Sequence, residues 1–242
     1  MVSEASSPLT ATHHALLFAY LSRAVMQRVE VQRGEQIIRK AVRRYGVQRG
    51  RRMALRARAN GDPQDMVNYF VYGEWEAADG EMAQEYKTAS PDAEMLVHKC
   101  IWCDAWKAAD LLEFGRYYCL EIDEALLQGY NPVLRMTVQG TQSNGAPYCA
   151  FTFHADPDDL NPENRERAAH KKAAVTNSAV MLWAYHCGHL YKTVREIFIA
   201  EIGDHGKYAA EQALKDFAER FGKQAARVVI SYRDVDFDSL PE

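Results

Sequence analysis

The chain has 242 residues, 48% of them hydrophobic and 26% charged, with a net charge of −4, which is enough for one large domain or two small ones. A mildly acidic chain lacks the electrostatic footprint of a nucleic-acid binder, and no apolar run approaches the roughly 20 residues that a membrane span needs, so neither partner is expected. Residues 1–12 carry no basic segment followed by an apolar one, and the five cysteines are an odd count; together these predict a cytoplasmic protein with reduced thiols rather than a disulfide framework.

From about Ala11 the pattern is helical, with Leu16, Leu17, Tyr20, Leu21, Ala24 and Val25 at three- and four-residue spacing. After Gly34 a second helix carries Ile37, Ile38, Ala41, Val42 and Tyr45, and Gly46 and Gly50 suit its end. A basic run from Arg39 to Arg58 alternates with apolar residues and predicts a solvated helix face rather than a phosphate-binding surface. A further basic helix after Gly50 reaches the turn Asn60-Gly61-Asp62-Pro63. Tyr69 to Trp75, rich in aromatic and β-branched residues, predicts a first strand, and Glu94 to Cys100 a second after Ser90-Pro91-Asp92.

Cys103 to Phe114 reads as a helix closed by Gly115, and Arg116 to Gln128 as another closed by Gly129. Val133 to Thr141 and Tyr148 to His154 flank Ser143-Asn144-Gly145, a hairpin signal. By alternation Leu134, Met136 and Val138 share one face of the first strand, and Cys149, Phe151 and Phe153 one face of the second. Asn161-Pro162 precedes a long helical tract, and Arg227 to Tyr232 predicts a last strand. A shift of 172 residues places His14 on His186, Gly34 on Gly206, Ala41 on Ala213, Tyr45 on Phe217 and Gly50 on Gly222. Two similar helical hairpins, or simple convergence of amphipathic patterns, account for it. The expected fold is a single α+β domain over residues 1–242. Helical segments at 11–60 and 161–222 form hairpins that pack a central antiparallel sheet in 69–154, and 227–232 is the final strand.

Candidate chemistry gathers between His98 and His154, which holds Cys100, Cys103, Cys119 and Cys149. Cys119 and Asp123 are four apart and would share one helix face. A carboxylate beside a thiol raises the thiol pKa by like-charge repulsion, so Asp123 suits holding a substrate amine or a water better than activating Cys119. A half-buried cysteine beside a surface aspartate is the plainer alternative. Cys149 shares an apolar strand face with Phe151 and Phe153, as a core residue or a pocket floor. His154 falls on the opposite face, which weakens it as a partner for Cys149. Cys100 and Cys103 form a C-x-x-C without a second pair, best explained as a coincidence at a strand-to-helix junction. His186 and His189 are three apart on a helix, a spacing open to metal ligation but more usual for capping or packing. Motifs of α/β-hydrolases, P-loops, dinucleotide-binding folds and H-E-x-x-H metalloproteases are absent from the sequence.

The central stretch resembles the L-2-amino-thiazoline-4-carboxylic acid hydrolase family. The likeness rests on Lys99-Cys100, on Phe114-Gly115-Arg116-Tyr117-Tyr118-Cys119 with Asp123, on Gly129-Tyr130-Asn131-Pro132, and on Gly145 with Tyr148-Cys149-Ala150-Phe151-Thr152-Phe153. Tyr45 to Arg51 and Gly203-Asp204-His205-Gly206 look like its flanking segments. Cys103 and the long polar hairpin turn depart from the pattern. The resemblance implies a hydrolase acting on carbon–nitrogen bonds of a small cyclic amide or amidine, as in converting 2-aminothiazoline-4-carboxylate to a carbamoyl-cysteine. On that basis Cys119, with Cys149 as second choice, would attack the ring carbon between the heteroatoms, Asp123 would hold the amidine nitrogen or the hydrolytic water, and Cys100, Tyr118, Asn131 and His154 would contribute to substrate binding. The expected partner is a small-molecule substrate, a homo-oligomer is compatible, and no cofactor is expected. Two alternatives remain open: a non-catalytic small-molecule sensor, and a zinc-stabilised structural protein using Cys100, Cys103 and either Cys119 or the His186/His189 pair.

Overall fold

The computed structural model describes residues 8–89, 92–155 and 160–241, and it is an α+β fold: a four-stranded antiparallel sheet set against helices from both ends of the chain. Four helices make the larger core. α1 (Ala11–Met26) packs on α2 (Val31–Ala59), α8 (Trp183–Ile202) and α9 (Asp204–Phe221), and α2 packs on α8. Their apolar stripes meet around Phe18, Ile38, Tyr45, Leu190, Phe198 and Phe217, all fully buried. Of the residues aligned by the 172-residue shift, Gly34 and Gly206 each lie near the start of a helix against the preceding one, whereas Gly50 lies inside α2 and Gly222 follows α9 with a positive φ. A Cβ on Gly34 would meet the Met26 side chain at 3.0 Å, and one on Gly206 would meet the Phe198 carbonyl at 2.1 Å, with Met26 and Phe198 also 172 apart.

α2 is one helix of 29 residues, not two. Gly46 and Gly50 lie inside it because they face α6 (Ile122–Tyr130) at a close crossing. A Cβ on Gly50 would fall 2.0 Å from the Leu126 carbonyl oxygen, and one on Gly129 2.3 Å from the Val47 carbonyl oxygen. The glycines taken for helix ends are thus the residues that let two backbones touch. The stretch from 69 to 75 is likewise not a strand. Asp65 caps α3 (Met66–Val71) by accepting the Asn68 N–H at 2.8 Å, and Phe70 faces the sheet through Phe153, ring centroids 5.0 Å apart. The cap and this packing override the β-propensity of the aromatics.

The sheet order is β1-β2-β4-β3: β1 (Met82–Ala89), β2 (Ala93–Cys100), β4 (Cys149–His154) and β3 (Arg135–Gly140). The predicted hairpin is β3 and β4, joined through a short 3-10 turn at Gln142–Asn144, with Met136 opposite Phe153 and Val138 opposite Phe151. β2 adds Met95 opposite Phe151 and Val97 opposite Cys149, so one face carries an unbroken apolar surface. β1, with its mixed Gln-Glu-Tyr-Lys pattern, gave no alternation strong enough to predict.

Between β2 and β3 the predicted pair of helices is three. α4 (Ile101–Ala108) ends where Asp110 takes a left-handed φ of 55°, and α5 (Leu112–Cys119) turns back so that Gly115 lies on the Trp106 ring. α6 then begins after Glu121, whose carboxylate is held by Arg39 and Arg43 of α2. After α7 (Pro162–Ala179), α8 and α9, residues 227–232 are not a strand: α10 (Lys223–Ser231) covers most of them, burying Ala225, Ala226 and Val229 at helical spacing. Among the described residues no helix is long and apolar enough to cross a membrane.

Candidate active site

The apolar sheet face is covered by α2, α3, α5 and α6, which leave a cavity of about 570 Å³ against it, a size suited to a small ligand. Met95, Val97, Met136, Phe151 and Phe153 supply its sheet side. Polar groups enter from the helices: Arg49 from α2, Tyr118 and Cys119 from the end of α5, and Asp123 from the first turn of α6. Cys100, where β2 passes into α4, and Cys149, first residue of β4, complete the set. Cys119 and Thr141 also border a second cavity of about 430 Å³ that includes Gln139 and Asn144.

Cys119, Asp123, Cys149, Cys100 and Tyr118 therefore come together, though not as the spacing implied. Cys119 and Asp123 are not on one helical face; the chain breaks between α5 and α6, and each reaches the cavity from its own helix end. Asn131 lies elsewhere, its amide donating to the Gln64 carbonyl at 2.7 Å and its side-chain oxygen accepting the Val133 N–H at 3.0 Å. His154 points from the opposite, exposed sheet face, where it meets Thr137 at 2.8 Å and Asp92 at 3.2 Å. Neither borders the cavity.

All five cysteines are free thiols. Burial pushes the Cys119 thiol well up, and a hydrogen bond from Ser143 of the hairpin turn only partly offsets it. Burial likewise raises Cys149, whose sulfur accepts the Gln142 N–H at 3.3 Å. Cys100 is pushed up to about 11 by burial, despite two backbone N–H bonds at the start of α4. The same apolar setting raises Asp123 to about 6, against a smaller downward pull from Arg49. A carboxylate at that value is suited to take a proton near neutral pH, whereas a thiolate is disfavoured until a cation or a base arrives.

Bordering the cavity through Arg49 and Glu74 is a buried charge cluster that sequence reasoning missed. Glu74, fully buried, receives Arg52 through Nε and Nη2 at 2.8 and 2.7 Å, Arg56 through Nη1 at 2.7 Å, and Arg49 through Nε at 3.4 Å. Burial works to raise Glu74, but the charge and hydrogen bonds of Arg52, with Arg49, outweigh it and hold the carboxyl at about 2. The solvated-face expectation holds for Arg43, Arg44, Arg51 and Arg58 and fails for Arg49, Arg52 and Arg56. One signal was available: those three continue the stripe Ile38, Val42, Tyr45 at alternating steps of three and four.

The histidines are bonded into this layer. Trp102 donates its indole N–H to His14 Nδ1 at 3.1 Å, so His14 Nε2–H donates to the Tyr45 hydroxyl at 3.0 Å. His186 Nε2–H donates to the Glu74 carbonyl at 2.9 Å, and His189 Nε2–H to the Gln48 side chain at 3.0 Å. Burial lowers all three, His186 to about 3. Among the described residues no three acidic, histidine or cysteine side chains are grouped to hold a metal ion.

The family model described as L-2-amino-thiazoline-4-carboxylic acid hydrolase matches residues 10–153, more than half of the chain. The chain belongs to this family. The match runs from α1 into β4 and contains Arg49, Glu74, Cys100, Cys119, Asp123 and Cys149 of the cavity lining. No curated protein and no solved structure matches the chain.

Proposed function

We propose that this protein is a hydrolase that opens the ring of a small cyclic amidine or amide, thiazoline-like in the first instance, in the cavity between the sheet and α2, α5 and α6. The observation that carries the reading is Asp123: an aspartate raised to about 6 on an apolar wall, beside Cys119, in a member of a family named for thiazoline carboxylate hydrolysis. Water adds its oxygen to the ring carbon between the heteroatoms. In a thiazoline the bond that breaks is the one from that carbon to the ring sulfur, in place of the carbon–nitrogen bond expected from the sequence, and the sulfur leaves as a thiol. In the covalent route Asp123 holds the amidine nitrogen while Cys119 bonds to the ring carbon, the ring sulfur departs and takes up the proton Cys119 gave up, and water then adds to the same carbon and expels Cys119 as a thiol. A bound amidinium is the cation that brings a buried thiol down towards reactivity.

A second mechanism is favoured by the raised thiols: Asp123 takes a proton from water, and the water attacks directly. Turnover of 2-aminothiazoline-4-carboxylate by Cys119→Ala, Cys149→Ala and Asp123→Asn separates them. With Cys119 as nucleophile, Cys119→Ala loses about 1000-fold or more in kcat. If Cys119→Ala and Cys149→Ala keep their rates while Asp123→Asn loses its own, the covalent route is wrong and the water route stands. Full activity in all three variants sinks the site itself.

A further inference from the structure

The cavity region holds positive charge that its own residues do not neutralise. Three guanidiniums, Arg49, Arg52 and Arg56, share the one buried carboxylate of Glu74. The neighbouring histidines are kept neutral by burial and add nothing. Counting Asp123 as ionised, three positive charges stand against two negative ones. The other two charged residues that line the cavity, Lys172 and Glu76, are of opposite sign.

The three arginines differ in how fully they are bonded. Arg52 spends Nε and Nη2 on Glu74 and Nη1 on the Phe237 carbonyl at 2.6 Å. Arg56 reaches Glu74 and the Met181 sulfur. Arg49 makes one long bond through Nε, and neither of its terminal nitrogens has a protein partner among the described residues. Its side chain is only 4% exposed, and it borders the cavity. The guanidinium lies 5.6 Å from the Tyr45 ring centroid, its terminal nitrogens are not sealed off, and two adjacent N–H groups fit the two oxygens of a carboxylate. Arg49 and Asp123 feel each other's charge but form no ion pair, so a ligand can stand between them.

We propose that Arg49 is the carboxylate-binding residue of the cavity, and that it makes the site selective for small ring compounds carrying a carboxylate at one end and a cationic amidine at the other. The amidine end faces Asp123. This assignment rests on the cavity being the substrate site, as in the proposed function. The Gly50 and Gly129 crossing of α2 on α6 fixes the separation of the two charged groups, and with it the length of ligand that bridges them.

The test compares 2-aminothiazoline-4-carboxylate with 2-aminothiazoline, which lacks the carboxylate, as substrates of wild type, Arg49→Met and Arg49→Lys. Calorimetric binding of thiazolidine-4-carboxylate and thiazolidine, which are not amidines, runs beside it. Wild type is expected to prefer the carboxylate compound by about 100-fold in kcat/KM. In Arg49→Met that ratio collapses towards one, with the loss borne by KM, and Arg49→Lys restores part of it. Equal use of the two compounds by wild type overturns the assignment without any variant, and so covers the case of Arg49→Met failing to fold. A fall by the same factor on both substrates also overturns it, because it marks a structural role. Tight binding of the carboxylate ring that Arg49→Met abolishes, with no turnover of any amidine, leaves Arg49 standing and removes the ring-opening reading. Turnover without preference does the reverse, and wild type that neither binds nor turns over the carboxylate compounds removes both.

Discussion

Asp123 carries its carboxyl on an apolar wall, and burial there raises its pKa from 3.8 to about 6. Between roughly pH 4 and 6 the unfolded chain releases this proton while the folded one keeps it, so the group lowers stability as pH rises through that window, and its full cost is present above about 6. Asp123→Asn is therefore expected to stabilise the fold at pH 7.5 by about 2 kcal/mol, a rise of several degrees in Tm. The gain should vanish below about pH 4, and the substitution should abolish turnover. Wild-type turnover should fall as pH drops through about 6. A melting series of both proteins from pH 4 to 8 checks this; an unchanged or lower Tm for the variant at pH 7.5 refutes the desolvated carboxylate. At this scale the sequence was partly legible. Cys119 and Asp123 stood out as a thiol and a carboxylate four apart, and Cys149 as a thiol on an apolar strand face, within the stretch that resembles the hydrolase family. Arg49 and Glu74 did not, because arginine and glutamate are usually solvated and only a tertiary partner shows otherwise.

The crossing of α2 and α6 decides whether those residues face each other. Gly50→Ala places a methyl group 2.0 Å from the Leu126 carbonyl, a backbone contact that no rotamer relieves. It should destabilise the protein by about 3 kcal/mol and, in what remains folded, lower activity by moving Arg49 away from Asp123. Urea unfolding and turnover measured together test this, and a neutral Gly50→Ala would mean that the helices are farther apart than described. The same crossing explains a misread element: glycine usually punctuates a helix, and only the partner helix reveals it as a contact. Residues 227–232 misled for a related reason. A run of β-branched residues predicts a strand, but Val229 falls on a helical stripe with Ala225 and Ala226, and packing decided. The β3–β4 hairpin was legible because its alternation and its turn agreed.

For the whole molecule, Glu74 is where the two ends of the chain meet. Its carboxylate gathers the arginines of α2, and its carbonyl accepts the Met181 N–H at 2.8 Å and His186 Nε2–H. Its pKa falls from 4.5 to about 2 in the fold, so the stability it contributes is complete above about pH 4.5 and is lost as pH falls towards 2. Glu74→Gln should cost about 3–5 kcal/mol at pH 7, by leaving three buried guanidiniums without a charge partner, and the gap from wild type should narrow on acidification to pH 2. Denaturant curves at pH 7 and pH 2 decide it; a gap that stays constant with pH would mean that the ionised carboxylate is not what matters.

The bond from Arg52 to the Phe237 carbonyl joins residues 185 apart in sequence. During synthesis the arginines of α2 leave the ribosome long before that acceptor exists. Throughout the interval the nascent chain carries a guanidinium that must become buried but has no carbonyl to receive it, so the charged layer under the cavity closes late. A ribosome stalled between residues 172 and 237 would hold every cavity residue named above and still lack the acceptor that lets Arg52 settle.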